Sequence, residues 1–144
     1  MRRTHRERGF TLIELLVVIL IISVLAALVA PNVFRHVGAS REAAVRSQFE
    51  LFGAALDAYR LDNDSYPSTE QGLEALRLAP TGDPLPRDWQ GPYLNKEVPL
   101  DPWGHAYVYR SPGADPLHEY EISSLGRDGK EGGTGEDADL QSWH

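Results

Sequence analysis

The residues best placed to do chemistry lie at the C-terminal end, from Leu125 to Leu140. Asp128, Glu131, Glu136, Asp137 and Asp139 bring five carboxylates into one short stretch, interleaved with Gly126, Gly129, Gly132, Gly133 and Gly135. Carboxylates are hard oxygen donors, and glycines let the backbone turn its carbonyls inward. Calcium takes six to eight such oxygens in flexible geometry, whereas magnesium asks for a stricter octahedron. The pattern is not an EF-hand: Gly129 directly follows Asp128, and the twelfth-position Glu is missing. From composition alone, a solvated acidic tail competes with a calcium loop. His105 and His118 have no metal-ligand or nucleophile partner at a recognised spacing, so they are read as exposed strand-edge residues. No catalytic constellation is present, and the expectation is a protein that is not an enzyme.

A second carboxylate stands apart. Phe10 to Ala30 (FTLIELLVVILIISVLAALVA) has only Thr11, Glu14 and Ser23 as polar residues. As a helix it would be ~31 Å long, enough to cross a bilayer's hydrocarbon core. A charge at that depth costs about 2.5 to 3.5 kcal/mol on insertion scales, more than a helix dipole returns, so Glu14 asks for a partner. Arg2, Arg3, Arg6 and Arg8 precede the run and hold that end in the cytoplasm. An ordinary signal peptide cut near Ala30 is the rival, but Pro31 would follow the cut and Glu14 interrupts the apolar region.

The chain has 144 residues, no cysteine and a net charge of -7, which argues against a nucleic-acid partner. Without disulfides, an exported domain needs another staple, and a metal would serve. Pro31 should kink or loosen the helix, and Gly38 is a second weak point. Beyond them Val45, Phe49, Phe52, Leu56 and Tyr59 form one apolar stripe at helical spacing, read as a face that packs on a core. Asp62-Asn63-Asp64 ends that helix. Ser68 and Gln71 read as a capping box opening a helix from Glu70 to Leu78. Thr81 to Pro92 reads as a surface loop, pinned by Trp89 and Tyr93. His105 to Arg110 and Leu117 to Ser124 alternate around a Pro/Gly turn and read as a β-hairpin.

Arg8-Gly9-Phe10-Thr11-Leu12-Ile13-Glu14-Leu15 resembles the leader junction of type IV pilins and type II secretion pseudopilins. The segments YPSTEQGL (66–73), WQGPYL (89–94) and DPWG (101–104), with the acidic loop, resemble the major pseudopilin class within that superfamily. The resemblance implies an α+β fold: a long N-terminal α-helix, its first half transmembrane, packed on a small antiparallel sheet with a C-terminal calcium loop. It divides the chain into a leader (1–9), a transmembrane and filament-core helix (10–30) and a periplasmic domain (31–144). It implies cleavage between Gly9 and Phe10 by a prepilin peptidase, N-methylation of Phe10, and a role for Glu14 in neutralising a neighbouring subunit's N-terminal amine. For calcium it implies Asp128 and Asp139 as side-chain ligands, Leu125 through its carbonyl, Asp137 as a further carboxylate, and Gly133 or Thr134 through a carbonyl. Glu131 and Glu136 would face solvent.

The function implied is mechanical. Subunits in the inner membrane would polymerise through their helices into a periplasmic pseudopilus, helping to export folded proteins across the outer membrane. Minor pseudopilins, an inner-membrane assembly platform and a cytoplasmic ATPase are the implied partners. The alternatives are a type IV pilin of a surface or competence pilus, against which the absence of cysteine counts, and a membrane-tethered calcium-dependent enzyme or lectin.

Overall fold

The computed structural model describes residues 9–143, with only the backbone course given for 29–36. The chain divides into two compact units, residues 1–39 and 40–144. The leader, residues 1–9, lies outside the described residues except for Gly9.

In the first unit, helix α1 begins; as a whole it spans Leu12–Asn63. Thr11 caps its start, its hydroxyl accepting from the Glu14 N–H at 3.3 Å. Ser23 turns its hydroxyl back onto the Ile19 carbonyl at 2.7 Å, so this polar side chain needs no outside partner. The large apolar side chains from Phe10 to Leu28 are all exposed, and so is Glu14. Among the described residues no helix is long and apolar enough to cross a membrane. The described side chains of the apolar run end at Leu28, and Val29 and Ala30 of the expected span lie outside them. The helical course continues through Pro31 and Gly38 rather than stopping at either. A proline costs an interior helix one hydrogen bond, which the helix to either side can absorb.

The second unit is built on the apolar stripe of α1. Val45, Phe49, Phe52, Leu56 and Tyr59 are all buried, as the spacing predicts, and Ala55 joins them. Leu73, Ala75 and Leu76 share this core with it, as do Tyr109 and Ile122. Tyr107 sets its ring edge-on to Phe49 and Phe52, at 5.8 and 5.2 Å between centroids. Asn63 ends the helix and is buried, donating to the Tyr59 carbonyl at 2.9 Å and accepting from the Asp88 N–H at 3.0 Å. Asp64 follows in the left-handed region (φ 62°), a conformation that Asp tolerates at a helix terminus.

The capping box forms in both directions: Ser68 Oγ accepts from the Gln71 N–H at 3.3 Å, and Gln71 Oε1 accepts from the Ser68 N–H at 2.9 Å. The helix it opens is much shorter than the expected Glu70 to Leu78. Turns lead to a single 3-10 helix, Leu73–Leu76. Gly72 breaks the helical course just before it (φ 61°, ψ -168°), and beyond it Pro80 has no N–H for the Leu76 carbonyl, which accepts instead from Tyr93 and Leu94 at 2.7 and 3.1 Å. The intervening loop is pinned as expected, by Trp89 Nε1 donating to the Ala75 carbonyl at 3.0 Å.

The sheet is antiparallel in the order β1-β2-β3. Strand β1 is Val108–Arg110 and β2 is Glu121–Ser124, shorter than the alternating runs suggested. Their register pairs Tyr109 with Ile122 and faces both into the core. Strand β3, Leu140–Gln141, was not anticipated. It pairs with β2 through Ser123↔Gln141 and Ser124↔Leu140.

Candidate metal centre

The pairing of Ser124 with Leu140 decides what the acidic stretch is. The residues from Leu125 to Asp139 leave β2 and return in β3, so the stretch is the loop of a hairpin rather than a tail. Leu125 and Asp139, far apart in sequence, are the first residues beyond the last strand pair. The base is tied to the preceding turn by Asp101. Its Oδ2 accepts from Ser124 Oγ at 2.6 Å, while its Oδ1 accepts from the Trp103 and His105 N–H groups at 3.0 and 2.8 Å. Ser124 Oγ in turn accepts from the Gly126 N–H at 3.4 Å.

Inside the loop the two limbs touch. The Arg127 N–H donates to the Glu136 carbonyl at 2.8 Å. At Gly126 (φ 65°) a Cβ would stand 2.8 Å from the Ala138 carbonyl oxygen, and at Gly133 (φ 91°) 2.2 Å from that of Asp137. Both positions therefore need glycine on two counts, sign of φ and space. A 3-10 turn, Gly135–Asp137, shapes the returning limb.

The expected ligands stand as follows. Asp128 is exposed and its Oδ1 accepts from the Lys130 N–H at 3.1 Å. Asp139 Oδ2 accepts from the Gly132 N–H at 2.9 Å, while its Oδ1 is buried with no hydrogen-bond partner. The Thr134 carbonyl accepts from the Asp137 N–H at 3.2 Å and keeps a second lone pair. Asp137 is held by Arg127, whose Nε and second terminal nitrogen donate to its two oxygens at 2.8 and 3.1 Å. That hydrogen bond and the Asp137 charge raise the Arg127 pKa further. Among the described residues no group of three or more His, Cys, Asp or Glu is drawn together into a metal-holding cluster.

Of the two acids expected to face solvent, Glu131 does, at 82% exposed, while Glu136 is partly buried. Glu136 lies 3.3 Å from Arg127 and 3.9 Å from Arg41 of α1, and Glu131 lies 3.7 Å from Arg110 of β1. Neither histidine sits on a strand edge. His105 is half-buried, its ring against Gly129 and its Nε2 3.2 Å from the Arg127 carbonyl. His118 is half-buried and stacks on Trp143 at 4.9 Å. Sequence reasoning missed the pairs of Arg41 and Arg110 because they join elements distant in the chain.

The fold alone defines a class: a pilin-like subunit, with a long N-terminal helix set against a small antiparallel sheet. Comparison with known proteins is specific. The family described as "Type II secretion system (T2SS), protein G" matches residues 32–143, and the "Prokaryotic N-terminal methylation motif" matches residues 4–30. The chain is 46% identical over 139 residues to type II secretion system core protein G of Pseudomonas aeruginosa, covering 96% of each. It is 41% identical over 145 residues to the protein of that name in Vibrio cholerae, covering 100% of this chain and 97% of the relative. The crystal structure of the major pseudopilin from the type 2 secretion system of enterohaemorrhagic Escherichia coli superimposes with a TM-score of 0.68 at 38% identity, over 78% of this chain and 95% of that one. The chain belongs to the type II secretion system protein G family, the major pseudopilins. It is a structural, envelope-associated subunit of the pseudopilus and works within that secretion system.

Proposed function

We propose that the chain is cut between Gly9 and Phe10 by a prepilin peptidase and methylated on Phe10. It then waits in the inner membrane as a single-pass protein with its C-terminal domain in the periplasm. From there it polymerises through residues 10–30 into a helical homopolymer, with Glu14 meeting the N-terminal amine of a neighbour. Minor pseudopilins, an inner-membrane platform and a cytoplasmic ATPase take part in assembly, and the growing pseudopilus helps move folded proteins across the outer membrane. The observation that carries this reading is the start of α1, where the apolar side chains from Phe10 to Leu28 are all exposed with Glu14 as the one charge among them. Such a surface is stable only in lipid or against other apolar helices.

The C-terminal loop is read as a calcium site. Support comes from Asp139 Oδ1, a carboxylate oxygen buried without a donor, which a cation would satisfy. Support comes also from the strand pair that brings Leu125 and Asp139 together. Asp128, Asp139 and Asp137 would supply carboxylate oxygens, and Leu125 with Gly133 or Thr134 would supply carbonyls. Bound calcium would neutralise the loop and fix β3 against β2.

The reading is tested by mass spectrometry of the chain isolated from membranes of cells carrying a prepilin peptidase. The mature polypeptide is expected to begin at Phe10 with one added methyl group. A chain beginning at Pro31, as an ordinary signal peptidase would leave it, overturns the proposal.

A further inference from the structure

Three arginines from three elements reach the acidic loop. Arg41 of α1 and Arg110 of β1 make single, long contacts to Glu136 and Glu131, at 3.9 and 3.7 Å. Arg127, in the loop itself, is different. Its two hydrogen bonds to the two oxygens of Asp137, at 2.8 and 3.1 Å, form a fork-to-fork pair, the strongest geometry such a pair takes. Asp128 and Asp139, by contrast, have no ion pair among the described residues and accept backbone N–H groups. By direct contact the loop's acids therefore fall into two sets, one held by guanidinium and one by backbone N–H groups.

Calcium held by both Asp137 oxygens would need the in-plane positions that the Arg127 fork now fills. We propose that Arg127 is a tethered counter-cation that closes the metal-free loop on Asp137 and is exchanged when calcium binds. The inference rests on the calcium reading of this loop. In the exchange the Arg127–Asp137 fork opens, the Asp137 carboxylate passes to the ion, and Arg127 keeps its 3.3 Å contact with Glu136. The main chain need not follow. The Arg127 N–H stays on the Glu136 carbonyl at 2.8 Å, and its own carbonyl stays 3.2 Å from His105 Nε2. The side chain is 57% exposed, so it can turn into water at little cost. Because the ion must displace a charge already in place, Arg127 sets the calcium concentration at which the loop fills.

The test is calorimetric titration of calcium into the full chain in detergent micelles, comparing the parent with Arg127→Gln and Arg127→Lys. Arg127→Gln is expected to bind calcium about 3- to 10-fold more tightly, since a unit positive charge near the ion is removed. Arg127→Lys should fall between, because it keeps the charge and loses the fork. In chelator, Arg127→Gln should melt below the parent, with Asp137 left unpaired. Equal or weaker binding by Arg127→Gln, in a protein with the parent's circular dichroism, overturns the exchange while the calcium reading stands. Absence of binding in all three overturns the calcium reading, and the exchange falls with it. Should Arg127→Gln fail to fold, the Arg127 Nε–H resonance of the parent decides. Slow solvent exchange in chelator and fast exchange in saturating calcium are expected, and slow exchange in both overturns the proposal.

Discussion

Ser124 Oγ donates to Asp101 Oδ2 at 2.6 Å, with both residues buried. This contact joins the DPWG turn before β1 to the base of the acidic hairpin after β2. One carboxylate there serves three donors: the Ser124 hydroxyl and the N–H groups of Trp103 and His105.

Removing that carboxylate should cost more than removing the hydroxyl. Asp101→Ala leaves three buried or half-buried donors without an acceptor, and a loss of about 3 to 4 kcal/mol is expected; Ser124→Ala should cost about 1 to 2 kcal/mol. Urea unfolding of the two variants measures both. A loss for Asp101→Ala no larger than for Ser124→Ala would mean that water replaces the carboxylate without penalty.

Alkaline pH should weaken the domain through its tyrosines. Burial pushes the Tyr107 phenol up to about 12, with the Asp101 charge adding to the effect, and burial raises Tyr109 in the same direction. In the unfolded chain both ionise near about 10. Above that pH the unfolded state sheds protons that the folded state keeps. The contribution is therefore fully present below pH ~10 and is lost as the pH rises through ~12. Urea midpoints should fall across that window, and Tyr107→Phe should flatten part of the fall. A midpoint that holds steady to pH ~12 would show that these phenols are not protected from solvent.

Calcium should stabilise the full chain in detergent. With free calcium at about 100 times the dissociation constant, linkage gives roughly 2.7 kcal/mol, a melting shift of about 10 °C for a folded unit of this size. Asp139→Asn and Asp128→Ala should each lose most of the shift. Identical melts in calcium and in chelator would leave the hairpin closed by its arginines alone.

Much of the fold was legible in residue spacing. The stripe from Val45 to Tyr59 is buried at every position, because a helix that must cover a sheet has one period available. The capping box at Ser68 and Gln71 forms as its pattern dictates, yet the helix behind it shrinks to Leu73–Leu76. A local start signal does not show that Gly72, at positive φ, interrupts the helical course before Leu73. Strand β3 is two residues long and carries no alternation to read. The loop's acids were visible as candidate ligands, but the sequence could not divide them. That division is made by Arg41, Arg110 and Arg127, two of which arrive from other elements.

The claim at the centre of the account is that Glu14 makes the exposed apolar start of α1 an assembly element as well as an anchor. The most direct measurement is the yield of sheared, sedimented pseudopili from cells expressing the parent or Glu14→Ala, with membrane fractions and N-termini assayed in parallel. The account predicts that Glu14→Ala reaches the membrane at the parent's level and yields few or no filaments. Filaments at the parent's level from Glu14→Ala would contradict it.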